Sequence, residues 1–221
     1  MTAPTERKET DPVDRIVAWI KQKQKTLIVV AAVVVGAAAV IMYMRVASER
    51  RENFAATLLS NARAVAATGN TALAITDLSD LVNSHRGTMA AEEAEIMLAQ
   101  LRLSEGQHDA AVQSLQDYIA SGPTDQFRAP AYGLLGAALE QTANLAEAAA
   151  AYENAAEAAW YDFLQAQYLL DAGRALTDAG DSARAVAVYQ RILDEFPETD
   201  MVAEAQLRLA ELQKADIDTQ R

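Results

Sequence analysis

"AGRALTDAGDSARAVAVYQRIL", residues 172–193, aligns with two earlier stretches of the same chain. These are "LGAALEQTANLAEAAAAYENAA", residues 135–156, and "LAQLRLSEGQHDAAVQSLQDYI", residues 98–119. Small residues Ala99, Gly136 and Gly173 recur 37 positions apart, as do Ala111, Ala148 and Ala185, then Leu115, Tyr152 and Tyr189. One further step back lands on Ala62, Gly69, Ala74 and Leu78, within "NARAVAATGNTALAITDLSDL". Self-similarity at a fixed period of this length is the mark of a repeat architecture. Each unit is too small to bury its own apolar face, so four stacked units share one continuous core.

The pattern resembles the tetratricopeptide repeat. In the fourth unit Gly173, Gly180, Ala185, Tyr189 and Pro197 stand at that family's small, turn, small, aromatic and closing positions. The third unit supplies Tyr132, Leu135, Gly136, Leu139, Ala148, Tyr152 and Ala155. The second has Leu98, Ala99, Gly106, Ala111 and Pro123, and the first departs most, with Asn61 where Leu is usual. The physical sense is close packing: Ala or Gly at the crossing lets two helices touch while larger residues fill the space between hairpins. The period of 37 rather than 34 predicts about three extra residues per repeat, placed in the turns near 84–88, 121–126 and 160–163.

Composition agrees with an all-helical chain. Of 221 residues 51% are apolar, and Gly and Pro number only 9 and 5, so few positions oppose helix. With no cysteine there is no disulfide framework, thiolate zinc site or cysteine nucleophile. Residues 1–25 carry six Lys/Arg against four Asp/Glu, whereas residues 45–221 carry thirteen against twenty-seven. An acidic domain without a basic stripe is unsuited to nucleic acid, whose phosphates need clustered cations.

Between these regions, Thr26–Met44 is nineteen consecutive uncharged residues. As a helix it is roughly 28 Å long, near the thickness of a bilayer's hydrocarbon core. It has no polar face: the run reads the same all round, which a surface helix of a small soluble domain cannot sustain. Ala37, Ala38 and Ala39 resemble a signal-peptidase site, but the leader is long and the apolar run continues past them. A retained anchor is the reading adopted. Trp19 and Tyr43 flank it at interfacial positions, and the Lys/Arg bias predicts a cytoplasmic N-terminus. Ala32 and Gly36 form a small-xxx-small pair through which another membrane helix could pack. Residues 45–68 contain no Pro or Gly, so span and first repeat helix are expected to be continuous.

The predicted organisation is all-α. It comprises a cytoplasmic leader (1–25), a transmembrane helix (26–45), a helical connector (46–54), four repeats (55–202), a capping helix (203–214) and a frayed tail (215–221). No catalytic, cofactor or metal pattern is read. His85 and His108 share no metal spacing and suit turn packing, and Glu92, Glu93 and Glu95 suit a helix start, where the dipole favours acids. The expected site is a partner-binding groove along the first helices of the repeats. One row is Leu59, Ile96, Gly133, Leu170 and Leu207; the other is Arg63, Gln100, Ala137, Arg174 and Glu211, with Leu103 beside them. Aliphatic side chains there suit an apolar peptide or helix. Two isolated arginines do not make the Lys, Asn and Arg clamp of chaperone-tail-binding repeats.

A basic leader, one span and an acidic repeat domain resemble the YfgM-like ancillary subunits of the bacterial Sec translocon. The resemblance implies an inner-membrane protein whose periplasmic repeats contact the translocon and chaperone-bound clients. The other reading is a scaffold subunit of a different large membrane complex, respiratory, photosynthetic or secretory. Both imply protein partners and an integral-membrane complex, with no nucleic acid and no small-molecule substrate.

Overall fold

The computed structural model describes residues 12–219; residues 1–11 of the predicted leader and 220–221 of the predicted tail lie outside the described residues. Within them the chain is all-helical. Its order is α1 Pro12–Ala67, α2 Thr71–Ser84, α3 Met89–Ser104, α4 His108–Ala120, α5 Asp125–Gln141, α6 Leu145–Ala158, α7 Asp162–Asp178, α8 Ser182–Glu195 and α9 Met201–Thr219. The chain divides into two units, Met1–Arg51 and Glu52–Arg221.

In the first unit the described residues belong to α1. Pro12 opens it, at a position where its missing N–H would have no helical partner anyway. From Ala32 onward the helix is long and apolar enough to cross a membrane, and none of the most apolar segment is buried. Val33, Val34, Val35, Ile41, Met42, Tyr43 and Met44 are all exposed.

In the second unit residues 52–67 of α1 begin a helical-hairpin solenoid. Successive helices pack antiparallel, α2 on α3 through α8 on α9, and α3 also meets α5 as α7 meets α9. Two buried clusters make up the core. One joins Ala55, Leu59 and Ala62 of α1 to Leu78 and Leu81 of α2 and to Ala90, Ala94 and Leu98 of α3. The other runs from Ala99 and Leu115 through repeats three and four to Ala205 and Leu209 of α9. The boundary falls between adjacent residues of α3, Leu98 and Ala99, so this helix serves both clusters.

Helix ends follow local chemistry. Gly69, Gly106 and Gly180 close α1, α3 and α7 with φ of 82°, 72° and 79°. That left-handed conformation is open to glycine at little cost and turns the freed N–H groups back onto the last carbonyls. After Gly69 and Gly180 the next helix starts on a side-chain cap: Asn70 accepts from Leu73 N–H and Asp181 from Arg184 N–H, whereas Gln107, after Gly106, makes no such bond. The third repeat keeps this turn with Ala143 at φ 60°, where Asn144 N–H donates to Leu139 C=O at 2.9 Å.

Residues 12–25 of the predicted leader are helical, and α9 runs to Thr219 through most of the tail expected to fray. Neither stretch contains an internal Gly or Pro to stop a helix once begun.

Candidate functional site

The predicted groove rows lie on α1, α3, α5, α7 and α9, one position per repeat. Along the aliphatic row exposure changes from one end to the other. Leu59 is 3% exposed and belongs to the first core cluster, which leaves it no surface for a ligand. Ile96 and Leu170 are half-buried against the second cluster, and Leu207 is 52% exposed. Gly133 is buried because the Tyr168 ring occupies the space where its side chain would be.

The polar row is largely engaged in ion pairs. Arg63 pairs with Glu93 across α1 and α3. Arg174 reaches Glu140 at 2.6 Å and Asp171 at 3.1 Å. Burial by itself would lower the Arg174 pKa, but hydrogen bonds to Asp171 and Glu140 hold it above its ordinary value. Glu140 also accepts from the Tyr152 hydroxyl at 2.9 Å, and that phenol is pushed up by burial and by the Glu140 charge. Arg174 and Glu211 line one cavity of about 370 Å³, together with Tyr189 and Arg208. Gln100 is exposed, while Leu103 and Ala137 are half-buried. In the first unit Ala32 and Gly36 are both exposed, with open space beside Gly36.

A larger cavity, about 560 Å³, opens between α2, α3 and α4 and includes none of the predicted groove residues. It uses another stripe of α3, Glu95, Leu98 and Arg102, faced by Val82 and Asn83 of α2 and by Ser114, Asp117 and Tyr118 of α4. The acids of the α3 start divide here into three roles. Glu92 is in the first turn, as expected, but it also accepts from the Tyr118 hydroxyl and from the Thr124 N–H and hydroxyl, at 2.9–3.0 Å. It thereby ties the turn after α4 to α3. Glu93 takes the ion pair with Arg63. Glu95 is no solvated helix-start acid: it is 4% exposed, and its Oε1 is buried without a hydrogen-bond partner. Burial pushes its carboxyl above the ordinary range, against the pull of Arg102, the Ser114 hydroxyl and Arg86, while Asp117 adds to the rise.

Sequence reasoning missed this acid, although the repeat register carries a signal for it. Positions 58, 132 and 169, in step with 95, hold Leu58, Tyr132 and Leu169. A carboxylate in that series departs from the pattern of the scaffold. The two histidines serve turns. His85 closes α2 with its ring 5.4 Å from that of Phe54, and His108 is the first residue of α4. Among the described residues no group of three or more His, Cys, Asp or Glu is placed to hold a metal.

Comparison with known proteins agrees with this geometry. A family model described as a tetratricopeptide repeat-like domain matches residues 18–165, and one for the tetratricopeptide repeat matches residues 167–199. Among solved structures, the nearly identical TPR-like repeats of a putative kinesin light chain from Podosopora anserina are similar, with a TM-score of 0.57 and 18% identity over 74% of this chain and 87% of that one. A methionine-substituted form of those repeats gives a TM-score of 0.58 at the same identity and coverage. The MamA RS-1 ArsTM double mutant has a TM-score of 0.50 and 21% identity over 76% of this chain and 80% of the other. At such identities the likeness is one of fold. No curated protein matches the chain.

Proposed function

This chain belongs to the tetratricopeptide repeat-like domain family, and from that premise we propose that it is a membrane-anchored protein-interaction subunit accessory to the protein-translocation machinery of the bacterial inner membrane. Helical-hairpin repeats of this type are protein-interaction modules, and no catalytic family is indicated. The observation that carries the anchor is the exposed apolar run of α1, in which Val33 to Met44 present large side chains with no protein cover. Water would penalise that surface at about 25 cal/mol per Å², and a bilayer would not. The family match begins at residue 18, so it takes in the apolar run together with the repeats.

In this reading the N-terminus is cytoplasmic and the repeats lie outside the cytoplasm, where the exposed end of the groove receives a partner segment. Translocon subunits should co-purify with the full chain in mild detergent, identified by mass spectrometry. Stoichiometric recovery with a different membrane complex, and no translocon, overturns the translocation role in favour of the scaffold reading. Protease added to intact spheroplasts should remove the repeats; protection until lysis reverses the topology. For the groove, Gln100→Ala combined with Leu207→Ser should weaken partner recovery from a still-folded protein, and unchanged recovery rejects this face as the contact.

A further inference from the structure

We propose that the cavity between α2, α3 and α4 is a second binding site, one that receives the primary ammonium of a partner's lysine side chain on Glu95. This site is independent of both the membrane anchor and the predicted groove.

The starting point is a buried acid that lines a cavity large enough to hold a ligand and that keeps one oxygen without a hydrogen-bond partner. Glu95 is 4% exposed, lines a cavity of about 560 Å³, and leaves Oε1 without a hydrogen-bond partner. A buried polar atom without a partner is costly, and a carboxylate oxygen more so than most. Neither Arg86 nor Arg102 closes an ion pair with it. Arg86 instead donates to Asn83 at 3.3 Å, and Arg102 to the Ala110 carbonyl at 3.4 Å. The scaffold does not call for an acid here, since the register mates Leu58, Tyr132 and Leu169 build the same helix position without one.

The lining also indicates the sign and shape of the ligand. Glu92, Glu95 and Asp117 face Arg86 and Arg102 around the cavity, an excess of one negative charge that a single cation neutralises. Glu92 is already committed to Tyr118 and Thr124, and Asp117 accepts from Gln113 at 3.1 Å through one oxygen. A single unpartnered oxygen on Glu95, with Asp117 on the same cavity wall, suits a compact ammonium with three rotatable donors better than a guanidinium, whose fork wants a paired carboxylate face. Val82, Leu98 and Pro123 offer apolar wall for the methylene stem of a lysine.

The test uses the full chain in detergent micelles with carbon-13 at the glutamate carboxyls and leucine methyls. The probes are a blocked pentapeptide with one central lysine, the same peptide with acetyl-lysine, n-butylammonium and tetramethylammonium. The lysine peptide should shift Glu95 and Leu98 saturably. Acetyl-lysine should bind at least tenfold more weakly, and tetramethylammonium, which has no N–H, should give no saturable shift. Glu95→Gln should abolish saturation at Leu98 while keeping the helical circular dichroism. Asp117→Asn, at an exposed position where folding is not at stake, should weaken binding several-fold. Butylammonium binding as well shows that the ammonium is the recognised element; its failure beside a binding peptide shows that the lysine is read within a chain. Either result supports the proposal. It is overturned by no saturable shift with the lysine peptide, by equal binding of acetyl-lysine, by saturation with butylammonium alone, or by unchanged affinity in both variants.

Discussion

Repeats one and two cross their helices with Ala62 opposite Leu78 and Ala99 opposite Leu115; repeats three and four use Gly136 opposite Tyr152 and Gly173 opposite Tyr189. All of these pairs are buried. A methyl group added at Gly136 would stand 2.7 Å from the Tyr152 ring, and one at Gly173 would meet the Tyr189 ring more closely still. Volume has moved from one helix to the other: where the second helix brings a large ring, the first gives up its Cβ. The crossing thus depends on the pair rather than on either residue, as close packing requires.

The largest effect expected from breaking this comparison is truncation of a ring. Tyr189→Ala should cost about 3–5 kcal/mol, as for other buried aromatics, and Leu115→Ala about 2–5 kcal/mol, because each opens a void that a packed core closes only in part. Denaturant midpoints for the two variants measure the difference. If Leu115→Ala proves the more damaging, the aromatic pair is not the stronger crossing.

Gly173→Ala comes next. The added methyl gains about 1 kcal/mol of helix propensity, but overpacking costs about 1–3 kcal/mol or more where a buried ring cannot move aside. The net effect should be destabilising. The sharper measurement is the double variant Gly173→Ala with Tyr189→Leu, which installs the pair of the first two repeats. It should recover part of the loss beyond the sum of the single changes, and strict additivity would show that the two residues act separately.

A third contrast concerns charge. The first half of the solenoid buries Glu95 where the fourth repeat buries Leu169. The Glu95 pKa is higher in the folded chain than its ordinary 4.5, mainly through burial. The folded state therefore holds this proton more tightly than the unfolded state. Its contribution is fully present below the unfolded pKa and is lost as pH rises through the folded one. Glu95→Gln should raise the melting temperature at pH 7 and lose that advantage near the ordinary glutamate pKa. An advantage independent of pH would mean that the desolvated charge is not its source.

The smallest effect belongs to the turns. Ala143 adopts φ 60° where its repeat mates are Gly69, Gly106 and Gly180. A side chain in the left-handed region costs about 1–2 kcal/mol, offset in part by the greater freedom of glycine in the unfolded chain. Ala143→Gly should stabilise by up to about 1 kcal/mol, while Gly180→Ala should destabilise by a similar amount. Thermal melts of the pair test whether the third turn is the strained one.

Much of the fold was legible because the repeat writes its packing rule in local sequence. The spacing of 37 places the crossing residues, turn glycines and hairpins, and all of these depend on neighbours one helix away. The groove was less legible. Register alone put Leu59 and Leu207 in one row, yet Leu59 is enclosed by α2 and α3 while Leu207 sits near the open end of the stack. Equivalent positions in a finite stack do not have equivalent neighbours, so exposure cannot be read from the period.

By itself, the sequence determined an all-helical repeat domain behind a nineteen-residue apolar run, since helix propensity, periodicity and a missing polar face are properties of the chain. Only the tertiary structure decided that Glu95 leaves the acidic helix start for the interior, where it lines a cavity and keeps one oxygen unpartnered. Burial of a charge is set by what three helices bring around it, and no one of them carries that information alone.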